Sequence, residues 1–273
     1  DLFGLLDEHA EELRSLNYSP ATLRQLRYVG RDFIRQVQSR GVGGPERIRA
    51  RHVRLWQRRL AARPSNRGKP LSPRTLAKHA EVVRGFLGFL VRRGLVPPSL
   101  PAAVRNVRQP HLLPGGVLPH ARMRRLLDGV ATDTLAGQRT RTMLEVLYSS
   151  GMRVAELLGL DVDRVDFAAG TALIMGKGRK ERVVPIGRTA LRLLEAYLRA
   201  VRPCLCEDPE QKAMFVNAAG RRVRYPNFRR TVMDCARRAG IESPVTPHTF
   251  RRSCTTELLR GGANMYHVKE LLG

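Results

Sequence analysis

Two short, apolar, β-branched runs, TALIM and RVVPI, flank the turn GKGRK between Thr171 and Ile186. Gly176 and Gly178 permit the positive φ that a tight turn needs, so this stretch predicts a β-hairpin with a basic tip. Elsewhere the apolar residues recur at helical spacing. The chain is therefore expected to be mostly α with a small antiparallel β-sheet.

A length of 273 residues suggests two domains, each long enough for its own core. Residues 1–105 read as helices throughout. LFGLLDEHAEELRSL is amphipathic, Ser19-Pro20 starts a second helix, a third runs near Arg51 to Arg63, and Ser72-Pro73 opens a fourth that stops at Gly94. From Val96 to Pro119 come six prolines and a glycine pair, which predict an extended linker with its centre at 106–118. A second domain, 119–273, holds the hairpin, the amphipathic RTALRLLEAYLRAVRP and a basic run with Arg221, Arg222 and Arg224 near a turn. Arg229 and Arg230 belong to the helix that follows.

Lys and Arg total 49 against 24 acids, a net charge of +25, and a nucleic-acid partner is the leading explanation. A membrane surface is the competing anion. Against it, no apolar run approaches the ~20 residues of a span, no signal peptide follows Asp1, and the basic residues are spread through both halves. Cys204, Cys206, Cys235 and Cys254 lack paired CxxC spacing with nearby His, so no zinc site is expected and a reducing cytoplasm fits. No cluster of Asp, Glu and His suggests any other metal, and no cofactor is expected.

Three stretches carry the chemistry. Ser149, Ser150 and Gly151 read as helix-start residues before the apolar Val154, Leu157 and Leu158, which puts Arg153 in a helix's first turn. A cation there adds to a positive macrodipole and makes an anion site, with Glu156 on the same face to hold the guanidinium. Taken alone, Arg153 reads more simply as a surface arginine in an i,i+3 salt bridge. The hairpin tip places Lys177, Arg179 and Lys180 within four residues, with Arg182 just after, as a finger suited to a polyanion. In TPHTFRRSCTTELL, Thr246 as N-cap and Pro247 at the first helical position start a helix on which His248 and Arg251 lie one turn apart.

The segments SGMRVAELLGL, IMGKGRKERVVPI, PHTFRRS and LLRGGANMYHVKELLG together resemble the tyrosine recombinases and phage-type integrases, well from Leu118 to Gly273 and loosely before it. Arg252 stands where many relatives carry His. The resemblance implies an N-terminal helical core-binding (SAM-like) domain and a C-terminal catalytic domain that form a C-shaped clamp on double-stranded DNA. It implies Arg153, Lys177, His248 and Arg251 as catalytic residues, supported by Glu156. Arg74, Lys78, Arg179, Lys180, Arg182, Arg221, Arg222, Arg224, Arg229 and Arg230 are candidate DNA contacts, which fix register on the phosphate backbone without reading bases.

The implied reaction is site-specific cleavage and rejoining of DNA by tyrosine attack, through a 3′-phosphotyrosyl intermediate and without a metal. Each arginine would contribute on the order of 3 kcal/mol to the transition state, by analogy with an oxyanion donor. Lys177 would protonate the leaving 5′-oxygen, and His248 would assist. Family members carry the nucleophilic tyrosine beyond the LLG that closes this sequence. The chain as given is therefore expected to bind DNA without cutting it, and the full-length protein to act as a tetramer. Tyr266 is read as a packed helical residue, not as the nucleophile. The alternative is a catalytically inactive DNA-binding regulator or architectural protein on the same fold, and a reading frame that ended at Gly273 would favour it. Integration, transposition and chromosome resolution are equally open.

Overall fold

Serine-proline pairs start two of the helices in the N-terminal half. The computed structural model describes residues 1–65, 68–109, 116–176 and 181–273. The chain divides into two units, Asp1–Leu112 and Leu113–Gly273.

In the first unit, α1 (Leu2–Ser15), α2 (Pro20–Gln38), α3 (Ala50–Ala62) and α4 (Pro73–Arg92) each bury one face. The Ser19 and Ser72 hydroxyls accept the N–H groups of Thr22 and Thr75, both at 3.2 Å, and so satisfy donors that a helix start leaves open. Leu6, Phe33, Ile34, Trp56, Phe86 and Leu90 fill the core. Gly30 lets α1 lie close on α2, since a Cβ there would fall 2.5 Å from Leu6 Cδ1.

The proline-rich stretch after Val96 departs from the extended linker that its composition predicts. Leu100–Ala103 forms a 3-10 turn, and Val96, Leu100 and Val104 are buried in the first core. Apolar residues four apart prevail here, because Pro101 sits at the start of the turn, where its missing N–H costs nothing. The Gln57 amide brackets Arg105, donating to its carbonyl at 2.9 Å and accepting its N–H at 3.0 Å. Residues 110–115 lie outside the described part of the chain.

The second unit contains α5 (His120–Asp128), α6 (Leu135–Ser150), α7 (Val154–Gly159), α8 (Arg188–Ala196), α9 (Arg202–Leu205), α10 (Tyr225–Arg238), α11 (Pro247–Arg260) and α12 (Met265–Leu272). The expected hairpin is present: β2 (Thr171–Met175) pairs antiparallel with β3 (Glu181–Pro185), in register from Thr171↔Pro185 to Met175↔Glu181. A third strand, β1 (Val165–Asp166), adds to β2; at two residues it is too short to leave a periodic signal. The fold is thus mostly helical with a small antiparallel sheet. Between α8 and α9 the turns widen to a π-helix at Tyr197–Val201, next to Pro203, which has no N–H to give. Among the described residues no helix is long and apolar enough to cross a membrane.

Helix α6 runs through the middle of this unit and packs against α8 and α11. Along with Leu144, Val146 and Leu147 it buries a carboxylate, Glu145, which is 3% exposed. Arg141 and Arg124 donate to Glu145 at 2.7 and 3.1 Å, tying α5 to α6, and Arg141 also lies 3.1 Å from Asp128. Removing Glu145 leaves both arginines with Asp128 as a remaining partner, and Arg124 is partly exposed. Glu145→Ala is therefore expected to lower unfolding free energy by about 1–2 kcal/mol through the lost hydrogen bonds, read from the urea midpoint at unchanged m-value.

Candidate active site and nucleic-acid interface

Arg153 stands at a helix start, as the N-cap of α7, directly after the end of α6. Ser149 and Ser150 complete the last turn of α6, Gly151 ends it in the left-handed conformation at φ 61°, and buried Met152 turns the chain so that Arg153 becomes the N-cap of α7. The serines face inward work: Ser150 Oγ donates to the Val146 carbonyl at 2.6 Å, and Ser149 Oγ accepts the Gly187 N–H at 2.6 Å. From sequence both serines read as residues opening the next helix, because serine favours N-caps and turns; here their hydroxyls bond back to main-chain groups and they close α6 instead.

Glu156, at the third position of α7, is the hub. One carboxylate oxygen accepts the Arg153 backbone N–H at 2.6 Å, and the other accepts Arg153 Nη1 at 2.9 Å. Arg182 grips the same carboxylate as a two-pronged fork, Nη1 and Nη2 each at 2.9 Å. Burial by itself would raise the Glu156 pKa, but the hydrogen bonds from Arg182 and Arg153 outweigh it and hold the carboxyl below its usual range.

Arg251 reaches this cluster from α11. Its Nη1 donates to the Gly151 carbonyl at 2.9 Å and its Nη2 to the Leu272 carbonyl at 2.7 Å. Arg182 Nε donates to the Leu271 carbonyl at 3.2 Å, and Arg153 Nη2 donates to the Gly273 carbonyl. Burial, and then the neighbouring Arg153, pull the Arg251 pKa down from the usual guanidinium value; Glu156 partly offsets them. Two guanidinium groups, Arg153 and Arg182, thus hold one carboxylate, and a third, Arg251, lies beside them with its donors on main-chain oxygens. Such a cluster carries an excess of positive charge and of directed N–H groups suited to a phosphate. Below it Cys254 is buried, with its thiol pushed up to about 11 by burial, so it packs as an uncharged side chain.

His248 lies in the first turn of α11, exposed, one turn before Arg251. The Thr246 N–H donates to Thr249 Oγ1 at 3.1 Å to start this helix, and the Leu118 N–H donates to Ser253 Oγ at 2.8 Å, fixing α11 from the other side. Lys177, Arg179 and Lys180 lie outside the described residues.

The remaining basic candidates divide by what they touch. Arg221, Arg224, Arg229 and Arg230 are exposed at the start of α10 and the turn before it, and Arg74 and Lys78 are exposed on the first turns of α4. Arg222 is committed inside the unit: it donates to the Leu158 and Leu160 carbonyls at 3.0 and 3.1 Å and pairs with Asp161, closing the C-terminal end of α7. Tyr266, expected to be packed, is 79% exposed beside Met265 at 72%. The buried positions of α12 are Val268 and Leu272, so its apolar stripe starts after the tyrosine. Arg182, grouped by sequence with the basic finger, is the site residue whose role the sequence reading missed. Strand alternation held the signal: Arg182 and buried Val184 are two apart and share the inward face of β3.

The phage integrase family matches residues 117–273, the stretch that holds this arginine cluster. The chain belongs to that family. Its sequence is 36% identical to the tyrosine recombinase XerC of Serratia marcescens, an alignment covering 98% of this chain and 82% of that protein. Among solved structures, this integrase-family fold is similar to a lambda integrase (75–356) dimer bound to a COC′ core site. The TM-score is 0.74 at 14% identity, covering 100% of this chain and 94% of that one. It is also similar to a lambda integrase tetramer bound to a Holliday junction, with TM-score 0.71 and 14% identity over 98% of this chain and 76% of that one. At those identities the structural likenesses speak to the fold.

Proposed function

We propose that this integrase-family chain serves the site-specific cleavage and rejoining of DNA through a 3′-phosphotyrosyl intermediate, without metal or high-energy cofactor; none of its own tyrosines is assigned as the nucleophile, so by itself it is expected to bind DNA without cutting it. One observation carries the reading. Arg153, from the α6–α7 turn, and Arg251, from α11, are brought side by side: Arg251 Nη1 donates at 2.9 Å to the carbonyl of Gly151, two residues before Arg153, and the Arg153 charge is among the causes that pull the Arg251 pKa down. Two guanidinium groups distant in sequence thus meet at one place suited to a phosphate.

In the reaction these two arginines take the equatorial oxygens of the scissile phosphate, whose negative charge grows in the transition state. Lys177 gives a proton to the leaving 5′-oxygen, and His248 assists proton transfer. The residues 1–105 act as the core-binding domain, with Arg74 and Lys78 against the phosphate backbone, joined there by Arg221, Arg224, Arg229 and Arg230 from the catalytic domain. The partner is double-stranded DNA, and the full-length protein works as a homotetramer, a reading supported by the likeness to the lambda integrase tetramer on a Holliday junction. Four free cysteines suit a reducing cytoplasm.

The test is a nicked suicide duplex incubated with the complete gene product. A protein–DNA adduct that survives denaturation is the expected result; binding without any adduct would favour the DNA-binding regulator instead. Affinity is expected to fall steeply with salt, by about 10³-fold or more between ~50 and ~200 mM if roughly six to ten phosphates are neutralised. Fluorescence anisotropy across a salt series reads the slope, and binding that persists at high salt would contradict the phosphate contacts.

A further inference from the structure

We infer that Arg182 is a positioning residue of the active site, acting through Glu156 on Arg153, and not a DNA contact of the basic hairpin. The inference rests on the reading of Arg153 as a catalytic residue.

Arg182 stands opposite Ile174 in the hairpin, and its side chain is only 16% exposed. Its two terminal nitrogens are both given to Glu156 at 2.9 Å and its Nε to the Leu271 carbonyl at 3.2 Å. A guanidinium bound in this way has its fork filled from within the protein and is poorly placed to turn outward to a DNA phosphate. What it does is fix a carboxylate. Glu156 Oε1 is shared between Arg182 Nη1 and Arg153 Nη1, so the carboxylate plane that Arg182 sets is the plane against which Arg153 is held. The Arg153 backbone N–H locks the other oxygen at 2.6 Å, which leaves Glu156 one orientation that satisfies every donor.

The charge balance points the same way. Glu156 beside Arg153 alone would be a simple pair, and Arg153 would be neutralised by it. With Arg182 taking both oxygens of the carboxylate, Glu156 is spent largely on Arg182, and Arg153 keeps its charge for an anion while still being oriented. A lysine at 182 would preserve the charge but not the planar fork, so it would hold the carboxylate at one oxygen only.

The experiment compares Arg182→Ala, Arg182→Lys, Glu156→Gln and the Arg182→Ala/Glu156→Gln double variant of the complete gene product on a suicide duplex at saturating protein. The expected result for Arg182→Ala is a cleavage rate lowered about 10- to 100-fold, as befits a group that supports a catalytic one. Duplex Kd should stay within about threefold, with the salt slope unchanged. Arg182→Lys should recover little of the rate. The double variant should cleave no more slowly than Glu156→Gln alone, because the two residues act as one unit. A salt slope reduced by about one, with affinity lost, would mark a phosphate contact and overturn the inference. Multiplicative losses in the double variant would overturn it as well.

A second readout needs no cleavage. In arginine-¹⁵N-labelled protein, the Arg153 Nε–H signal, assigned by its loss in Arg153→Lys, should shift or broaden in both Arg182 variants. An unmoved signal would overturn the positioning role. If the wild-type protein forms no adduct at all, the functional reading fails, and this signal still decides whether Arg182 positions Arg153.

Discussion

Arg153→Ala is expected to lower covalent attachment to a suicide duplex by about 10²- to 10³-fold, while leaving duplex affinity within a few-fold. The separation follows from what the substitution keeps. Glu156 caps α7 through the Arg153 backbone N–H, which alanine retains, so the helix start survives. The Arg182 fork on Glu156 also survives, and the carboxylate is not stranded. What is lost is a directed guanidinium at the place where charge develops, and one oxyanion donor alone is worth about 10²–10³ in rate. Binding spread over many phosphates loses a single contact. Adduct formation on denaturing gels and anisotropy titrations with the same duplex give both quantities. Loss of affinity in parallel with loss of adduct would contradict the role assigned to Arg153.

Gly151→Ala is expected to cost about 3 kcal/mol of unfolding free energy and most of the cleavage activity. Two penalties meet at this residue. Its φ of 61° is left-handed, where a Cβ costs roughly 1–2 kcal/mol. A Cβ there would also fall 2.7 Å from Leu272 Cδ2 and 3.1 Å from Cys254 Sγ, pushing these packed side chains out of place at roughly 1–3 kcal/mol. Because the Gly151 carbonyl accepts Arg251 Nη1 at 2.9 Å, any shift of this turn moves the second arginine of the site. Gly94 is the control: its φ is 68°, but nothing lies within 4 Å of the added Cβ. Gly94→Ala should cost only the backbone strain, about 1 kcal/mol, without touching activity. Equal losses at the two positions would show that crowding at Gly151 is unimportant.

Local chemistry was legible wherever a residue type has one strong backbone preference. The Ser-Pro starts of α2 and α4, the Thr246-Pro247 start of α11 and the glycine-flanked hairpin all form where the sequence puts them. The misreadings occurred where packing competes with composition. Prolines after Val96 promised an extended chain, yet the burial of Val96, Leu100 and Val104 folded its first ten residues onto the helical core. Tyr266 looked like part of an apolar stripe and is solvent-facing instead. Arg182 and Arg222 counted as two more cations in basic runs, although one clasps Glu156 and the other closes the end of α7.

By itself the sequence determined the helical character, the basic hairpin, the strong positive charge, and the ordered series of Arg153, Lys177, His248 and Arg251 as candidates to meet a phosphate. These depend on spacing and side-chain type, which one strand of text records. Only the tertiary structure decided which guanidinium groups meet, because a charge's partner is chosen by elements distant along the chain. Helix α7 supplies the carboxylate, its N-cap and β3 supply the arginines that hold it, and α11 brings a third arginine to the Gly151 turn beside them. An arginine that holds the site and one that binds its substrate are the same letter until the fold shows which way each is turned.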